Sequence, residues 1–144
     1  MIPKYRAWHK TWEEMGKVKR IRFDDDGNMT NVLFKGETLG TDLKIDEIEL
    51  MQSTGLHDKN GQEIFEGDIV KRDGIKRLEV VRFGEWIDVD SLGYKEQYIG
   101  FYFESEHEGQ EWLCSIEPQF HNIYKIIGNV YQNPELLEAD HDRD

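Results

Sequence analysis

The stretch from Thr54 to Val70, TGLHDKNGQEIFEGDIV, determines the fold class. Asn60-Gly61 is a strong two-residue turn signal, because both residues accept a positive φ. Gly67-Asp68 forms a second turn and leads into an apolar strand that begins at Ile69. Two tight turns so close together are typical of short strands that fold back on one another. The stretch therefore predicts β structure built from short strands.

Alternation of apolar and polar residues predicts a hairpin before this stretch. In Lys17–Phe23, strict alternation places Val18 and Ile21 on opposite faces of one strand. Turn-forming residues follow at 24–28 and the alternation then resumes, so residues 17–35 are predicted to form a β-hairpin. Residues 36–46, which include Leu39, fit no single period. They are predicted to form a loop with a helical turn near Thr41-Asp42.

The remaining predicted elements are short strands and one helix. The strands are expected at residues 5–8, 48–52, 69–71, 78–83, 98–103, 112–116 and 123–131. Asn133, Pro134 and Glu135 are typical of a helix start, so a short helix is expected over residues 133–138. Frequent turns between short strands are typical of a small barrel.

The composition also favours a mainly β domain. The 144 residues include two alanines, against 13 isoleucines, 7 valines, 5 threonines and 17 aromatic residues. β-Branched and aromatic residues favour strands, whereas a helical bundle needs good helix formers. The length fits a single domain. We divide it into an N-terminal arm and hairpin at residues 1–47, a barrel-like body at residues 48–139 and a frayed tail at residues 140–144.

The cysteine content and the hydropathy pattern bear on location. Cys114 is the only cysteine, so no internal disulfide forms, which fits a reducing compartment. The N-terminal residues lack the apolar stretch of a signal peptide, and no apolar run approaches the ~20 residues of a membrane span. We therefore expect a cytoplasmic protein with no membrane role.

Charge is divided unevenly between the start of the chain and the rest. The net charge is −12, with +5 on residues 1–22 and −17 on residues 23–144. Because so acidic a body repels phosphate, broad nucleic-acid binding is not expected. The basic residues either offset the acidic surface of their own chain or contact the body of another subunit. The candidate arm–body contacts are Lys4, Arg6, Lys17, Lys19, Arg20 and Arg22.

The residue patterns do not support metal binding or catalysis. Segments 24–28 and 58–63 lack the glycine and the glutamate that a calcium loop needs at its sixth and twelfth positions. The five histidines show no i, i+4 pairing and Cys114 has no CxxC partner, so zinc is not predicted. Cys114 with His107 or His121 would be a thiol nucleophile, but it lies in an apolar strand pattern typical of an inert cysteine. Because phosphate loops, dinucleotide fingerprints and nucleophile elbows are missing from the sequence, we expect no cofactor and no enzymatic activity.

Three segments of the sequence form a specific combination. They are IPKYRAW at residues 2–8, LMQSTGL at residues 50–56 continuing to Val70, and IGNVY at residues 127–131 followed by NPELL. Together they resemble the YopX family of phage and prophage proteins, although residues 85–118 carry no family pattern. His9 stands where the family more often has aspartate, and Ser53 where it often has an aromatic residue. The resemblance implies a β-rich protein with a partly SH3-like pseudobarrel and self-association, and it implies no catalytic residue.

We therefore expect a phage or prophage accessory protein that is not an enzyme and that acts through protein contacts as a homo-oligomer. One alternative is that the acidic body imitates nucleic acid and occupies a basic host or phage protein. A second alternative is a nucleic-acid-binding module, in which a basic strip lies around Phe83; the acidic surroundings make it the weaker alternative. The strip comprises Lys71, Arg72, Lys76, Arg77 and Arg82.

Overall fold

Strands make up most of the regular structure, as the composition predicts. The computed structural model describes residues 4–37 and 40–141, apart from the side chains at positions 107 and 141. Short 3₁₀ turns occupy Ile45–Glu47 and Pro118–Ile123, and one helix, α1, spans Pro134–His141. The strands are β1 (Tyr5–His9), β2 (Glu14–Phe23), β3 (Met29–Lys35), β4 (Thr41–Lys44), β5 (Ile48–His57), β6 (Glu63–Phe65), β7 (Asp68–Arg72), β8 (Glu79–Val89), β9 (Lys95–His107), β10 (Gln110–Ser115) and β11 (Tyr124–Asn129).

The chain divides into two compact units, Met1–Gly55 and Leu56–Asp144. The boundary falls inside β5 and not after residue 47, where the sequence indicates the change from arm to body. The sheet of the first unit has the strand order β4-β3-β2-β1-β5, and β6 adjoins β5, which continues past Gly55. The sheet of the second unit has the order β10-β9-β8-β7-β11. That the chain is one domain stays a prediction.

The first unit is held together by close packing across β1, β2 and β3. Ala7 lies opposite Gly16, and a Cβ atom added at Gly16 would lie 2.6 Å from the ring of Phe34. The two small residues therefore leave the space that this ring occupies. Phe34 and Ala7 belong to a buried cluster completed by Val32, Leu43 and Ile48.

A β-bulge in β2 corrects the predicted faces of this strand. Val18 pairs with Phe34 and Arg20 with Leu33, so Lys19 is an extra residue on the β2 side. Because one inserted residue shifts the alternation by one, Val18 and Ile21 both pack against the same buried cluster. The prediction that they lie on opposite faces is wrong.

The core of the second unit lies along the central strands of its sheet. Val70, Val81 and Phe103 are fully buried and pack with Ile64 and Tyr124. A neighbouring cluster of Ile69, Leu78 and Val80 receives Leu136 and Leu137 of helix α1. These strands therefore fix the positions of the charged side chains described below.

The two turns that the sequence emphasises are present and are closed by buried acids. Asp58 accepts hydrogen bonds from the backbone N–H groups of Asn60 and Gln62, both at 2.9 Å. Asp68 accepts one from Phe65 N–H at 2.7 Å, after Gly67 at φ +88°. Asp68 therefore satisfies a backbone N–H group within its own turn.

Several boundaries differ from the predictions. Thr41-Asp42 begins strand β4, so the predicted helical turn there is wrong, while Leu39 lies outside the described residues. Strand β9 continues past Phe103, the predicted end of its strand, and pairs with β10 up to His107. The frayed tail is wrong at Asp140, because this side chain is buried and accepts a 2.9 Å hydrogen bond from Leu78 N–H. Residues 142–144 lie outside the described part.

The fold class is confirmed as mainly β with one short C-terminal helix. In the part of the chain that the structure describes, the strands form two open antiparallel sheets and not a closed barrel. Among the same residues, no helix combines the length and the apolar character needed to cross a membrane.

Candidate interaction surfaces

The cations of the predicted arm lie on two strands with different surroundings. Arg6 of β1 is half-buried, and its Nε atom lies 3.4 Å from the sulfur of Met51. Lys4 precedes β1, and its carbonyl accepts a 2.8 Å hydrogen bond from Ser53 N–H. The other four cations, Lys17, Lys19, Arg20 and Arg22, are exposed on β2. They lie on one strand, so the structure brings this larger group together.

The register of β2 explains this exposure. Among the described residues, β1 pairs with β2 only as far as Lys17, whereas β3 continues alongside to Phe23. The segment Lys17–Phe23, which we call the basic edge, therefore has a strand on one side only after Lys17. It contains four cations and no acid, and its last residue, Phe23, exposes half of its side chain. Within the described ranges, none of the four cations has an ionic partner.

The predicted basic strip is largely occupied by contacts within the chain. Lys71 donates its Nζ to the carbonyls of Arg72 and Ile75. Arg77 donates to the hydroxyl of Ser105 at 2.9 Å, and its guanidinium lies over the ring of Trp112. Arg82 lies 3.8 Å from Glu104. Of the five strip residues, Lys76 alone has no polar contact among the described residues.

The fifth strip residue, Arg72, belongs to a buried charged cluster. Its Nε and Nη2 atoms both donate to the carboxylate of Glu79, with Nη2 at 2.8 Å from Oε2. The side chain of Glu79 is 2% exposed and that of Arg72 is 20% exposed. Burial lowers the pKa of Arg72, but the hydrogen bond and the charge of Glu79 outweigh it and raise the pKa. Arg72 is therefore a structural cation and is not available as a free phosphate ligand.

Cys114 completes this cluster, and its surroundings differ from those of a nucleophilic cysteine, which lower the pKa of the thiol. Its sulfur lies 3.4 Å from Nη2 of Arg72 and 3.6 Å from Oε2 of Glu79. Burial, and then the negative charge of Glu79, raise the pKa of Cys114 to about 11. His121 contacts the carbonyl of Pro118 instead, and the side chain of His107 lies outside the described residues. A thiolate is therefore disfavoured near neutral pH.

Metal-ligating side chains are dispersed in this structure. In the described residues, no group of three or more His, Cys, Asp and Glu side chains is arranged to hold a metal ion. The buried acids Asp58, Asp68 and Asp140 each accept backbone N–H bonds, which explains their burial without an ion.

A projecting hairpin is the feature that the sequence analysis misses. Strands β8 and β9 pair continuously from Val80–Glu104 to Val89–Lys95. Among the described residues, β7 pairs with β8 only at Glu79 and Val80, and β10 pairs with β9 only from Tyr102 onward. Residues 83–101 therefore form a two-stranded extension with no neighbouring strand at either edge, which we call the projecting hairpin.

One face of the projecting hairpin continues the core of the sheet. Val81 and Phe103 are opposite each other and fully buried. Two residues further along each strand, Phe83 packs edge-to-face on Phe101, with ring centroids 4.8 Å apart. From this pair outward the same face is exposed. Phe83 exposes 45% of its surface, and further along the hairpin Ile87, Val89 and Ile99 expose 51%, 53% and 74%.

The other face and the tip of the projecting hairpin are ordered by internal contacts. Trp86 is buried by stacking on Tyr98, with ring centroids 5.0 Å apart. At the tip, Asp90 accepts hydrogen bonds from the N–H groups of Leu92 and Tyr94, both at 2.9 Å. The hairpin carries four acids and one lysine, a net charge of −3: Glu85, Asp88, Asp90, Glu96 and Lys95. It is therefore an ordered, acidic and apolar surface.

A signal for this hairpin is present in the sequence. Asp90 to Gly93 is a turn sequence, with Gly93 at φ +87° in the structure. The flanking run, Trp86 to Val89, is rich in strand-forming residues. It lacks the regular apolar alternation by which a half-buried strand is recognised.

Comparisons with known proteins agree over most of the chain. The sequence model of the YopX protein family matches residues 4–138. The crystal structure of protein EF1440 from Enterococcus faecalis is similar, with 28% sequence identity and a TM-score of 0.58, covering 95% of this chain and 99% of that one. No curated protein matches the chain.

Proposed function

The chain belongs to the YopX protein family, and from this membership we propose that it is a phage or prophage accessory protein of the host cytoplasm. In this proposal it is not an enzyme and acts through protein contacts, and it assembles as a homo-oligomer. The basic residues near its N-terminus contact an acidic surface of another subunit. The SH3-like character of the body at residues 48–139 is part of the same proposal.

One observation carries this proposal. The basic edge presents four exposed cations without an ionic partner in the described residues, on a chain whose net charge is −12. Lysine and arginine also protect edge strands from unwanted pairing, and that role alone needs no partner. If a second copy of the chain binds these cations through an acidic surface, they also have a binding role, because complementary charges accelerate and orient association.

The nucleic-acid alternative has less support. Four of the five strip cations, among them Arg72 and Arg77, already contact groups of their own chain. A mobility shift that is lost in Lys76→Ala/Arg77→Ala would support this alternative. The absence of a shift would leave the protein-contact proposal as the better one.

The oligomeric mass tests the proposed function. We expect the full chain to show a multiple of the monomer mass in light scattering at low salt. Arg20→Glu/Arg22→Glu should lower this mass because it reverses half of the cations of the basic edge. Lys76→Glu/Lys125→Glu is the matched control, since it changes the net charge equally at exposed lysines outside the edge. A monomeric wild-type protein, or equal effects of the two double variants, would contradict the proposal.

A further inference from the structure

We propose that the projecting hairpin is the acidic surface that receives the basic edge of a second copy of the chain. This inference rests on the proposed function and identifies the surface that the proposed function leaves unnamed. Four groups of observations support it: uncovered apolar surface, unpaired strand edges, opposite charge and internal order.

The apolar face is the first observation. The side of β8 and β9 that is buried at Val81 and Phe103 continues, by alternation, to Ile87, Val89 and Ile99, which are more than half exposed. Contiguous exposed apolar residues of this kind, surrounded by polar ones, mark binding surfaces in soluble proteins. The basic edge offers Phe23 as an apolar residue for the contact, because this side chain is also half exposed.

The strand edges are the second observation. In the described residues, the hairpin between Phe83 and Phe101 is paired only within itself, and the basic edge after Lys17 is paired only with β3. Within the described residues, both segments thus present backbone N–H and C=O groups along one side. Two such edges form a β-sheet contact when they lie side by side.

The distribution of charge is the third observation, and it indicates which segment binds the projecting hairpin. The hairpin has a net charge of −3, so packing two hairpins against each other would place like charges together. The basic edge has four cations and no acid. The exposed acids that it would approach are Glu85, on the apolar face, and Asp88, on the opposite face. A second copy of the chain supplies this cationic strand, so no other protein is needed as the partner.

Order within the hairpin makes the surface suitable for docking. The Asp90 turn and the stacking of Trp86 on Tyr98 fix both the tip and the middle of the extension. A preorganised surface loses less conformational entropy on binding than a mobile one. Because the two contacting surfaces differ, the contact is head-to-tail, and it produces a closed ring or an open chain of copies.

A charge-exchange experiment on the full chain tests the pairing. Glu85→Lys/Asp88→Lys reverses acids of the hairpin, and Arg20→Glu/Arg22→Glu reverses cations of the edge. Each double variant should weaken self-association about tenfold or more, as measured by sedimentation velocity over a concentration series. The four-fold variant that combines both exchanges restores opposite charges and should recover the wild-type oligomer. Glu111→Lys/Glu138→Lys, at exposed acids outside the hairpin, should have no comparable effect.

The outcomes separate the inference from the proposed function. Recovery in the four-fold variant supports both. Loss of the oligomer in the edge variant with no change in the hairpin variant overturns the inference and leaves the proposed function standing. Loss in the hairpin variant alone indicates hairpin–hairpin packing and overturns both, as does a monomeric wild-type protein. Circular dichroism of each variant establishes that it is folded. Ile87→Ser/Ile99→Ser removes apolar and not charged groups, so this variant should weaken association at high salt as well as at low salt.

Discussion

The carboxylate of Asp58 accepts a 3.0 Å hydrogen bond from the backbone N–H of Ile126, although 68 residues separate them in the chain. Its other oxygen accepts the N–H groups of Asn60 and Gln62. The side chain is 3% exposed. One acid therefore closes the turn before β6 and also fastens it to β11.

Replacing Asp58 by asparagine should destabilise the protein by about 1 to 3 kcal/mol, the range for leaving a buried group unsatisfied. The amide oxygen can still accept the turn N–H groups, but the amide nitrogen cannot accept the N–H of Ile126. Urea unfolding at neutral pH measures the change in free energy. Asp25→Asn is the control, because Asp25 is an exposed turn residue. Equal unfolding midpoints for the two variants would show that the Asp58 contact contributes nothing.

The same carboxylate predicts a pH dependence. Burial alone would raise the pKa of Asp58, but its hydrogen bonds from Ile126, Gln62 and Asn60 outweigh burial and hold the pKa below 3.8, its ordinary value. The unfolded chain therefore binds the proton more readily than the folded chain. The stabilisation is complete above pH 3.8 and is lost as the pH falls through the lower pKa of the folded state. The difference in unfolding free energy between wild type and Asp58→Asn should thus be constant from pH 7 to 5 and shrink below pH 4.

The local elements of the fold could be predicted because short-range chemistry determines them. Asn60-Gly61 and Gly67-Asp68 form the turns that their conformational preferences require. The faces of β2 could not be predicted, since the bulge at Lys19 depends on how β2 pairs with β3. The projecting hairpin is missed because apolar alternation reports burial of one face. In this extension the apolar residues Ile87 and Val89 are exposed, while Trp86 on the opposite face is buried.

The candidate surfaces show the same limit. Arg72 and Arg20 are the same residue type, and the sequence makes both of them candidate binding residues. The register of the second sheet places Arg72 against Glu79, whereas, among the residues that the structure describes, the pairing of β2 with β1 ends before Arg20. Sequence analysis could identify the set of cations, but only tertiary pairing distinguishes a buried ion pair from an exposed edge.

Two ion pairs of the second unit, Arg72–Glu79 and Arg82–Glu104, should differ strongly in their contribution to stability. Arg72→Met strands the carboxylate of Glu79, which is almost fully buried, so we expect a loss of about 3 to 5 kcal/mol. Arg82→Met is the matched control, because the Arg82–Glu104 pair spans 3.8 Å and both side chains are more than a third exposed. We expect that control to cost less than about 1 kcal/mol.

A double variant tests the origin of that cost. Arg72→Met/Glu79→Leu removes both charges, so it should recover much of the stability that Arg72→Met loses. Urea unfolding of the two single variants and the double variant gives the coupling free energy between the residues. A double variant that is as unstable as the sum of the single ones would show that the two charges do not interact.

The thiol of Cys114 should react slowly with alkylating reagents in the folded protein. Because its pKa is raised from 9.0 to about 11, the thiolate fraction at pH 8 should be about 100-fold lower than in the unfolded chain. Iodoacetamide labelling followed by mass spectrometry measures both rates, with the urea-unfolded chain as the reference. Glu79→Gln should accelerate labelling, because it removes the charge that opposes the thiolate. Rapid labelling of the folded wild type at pH 8, with a rate that no longer rises above pH 9, would contradict the buried cluster and revive Cys114 as a nucleophile.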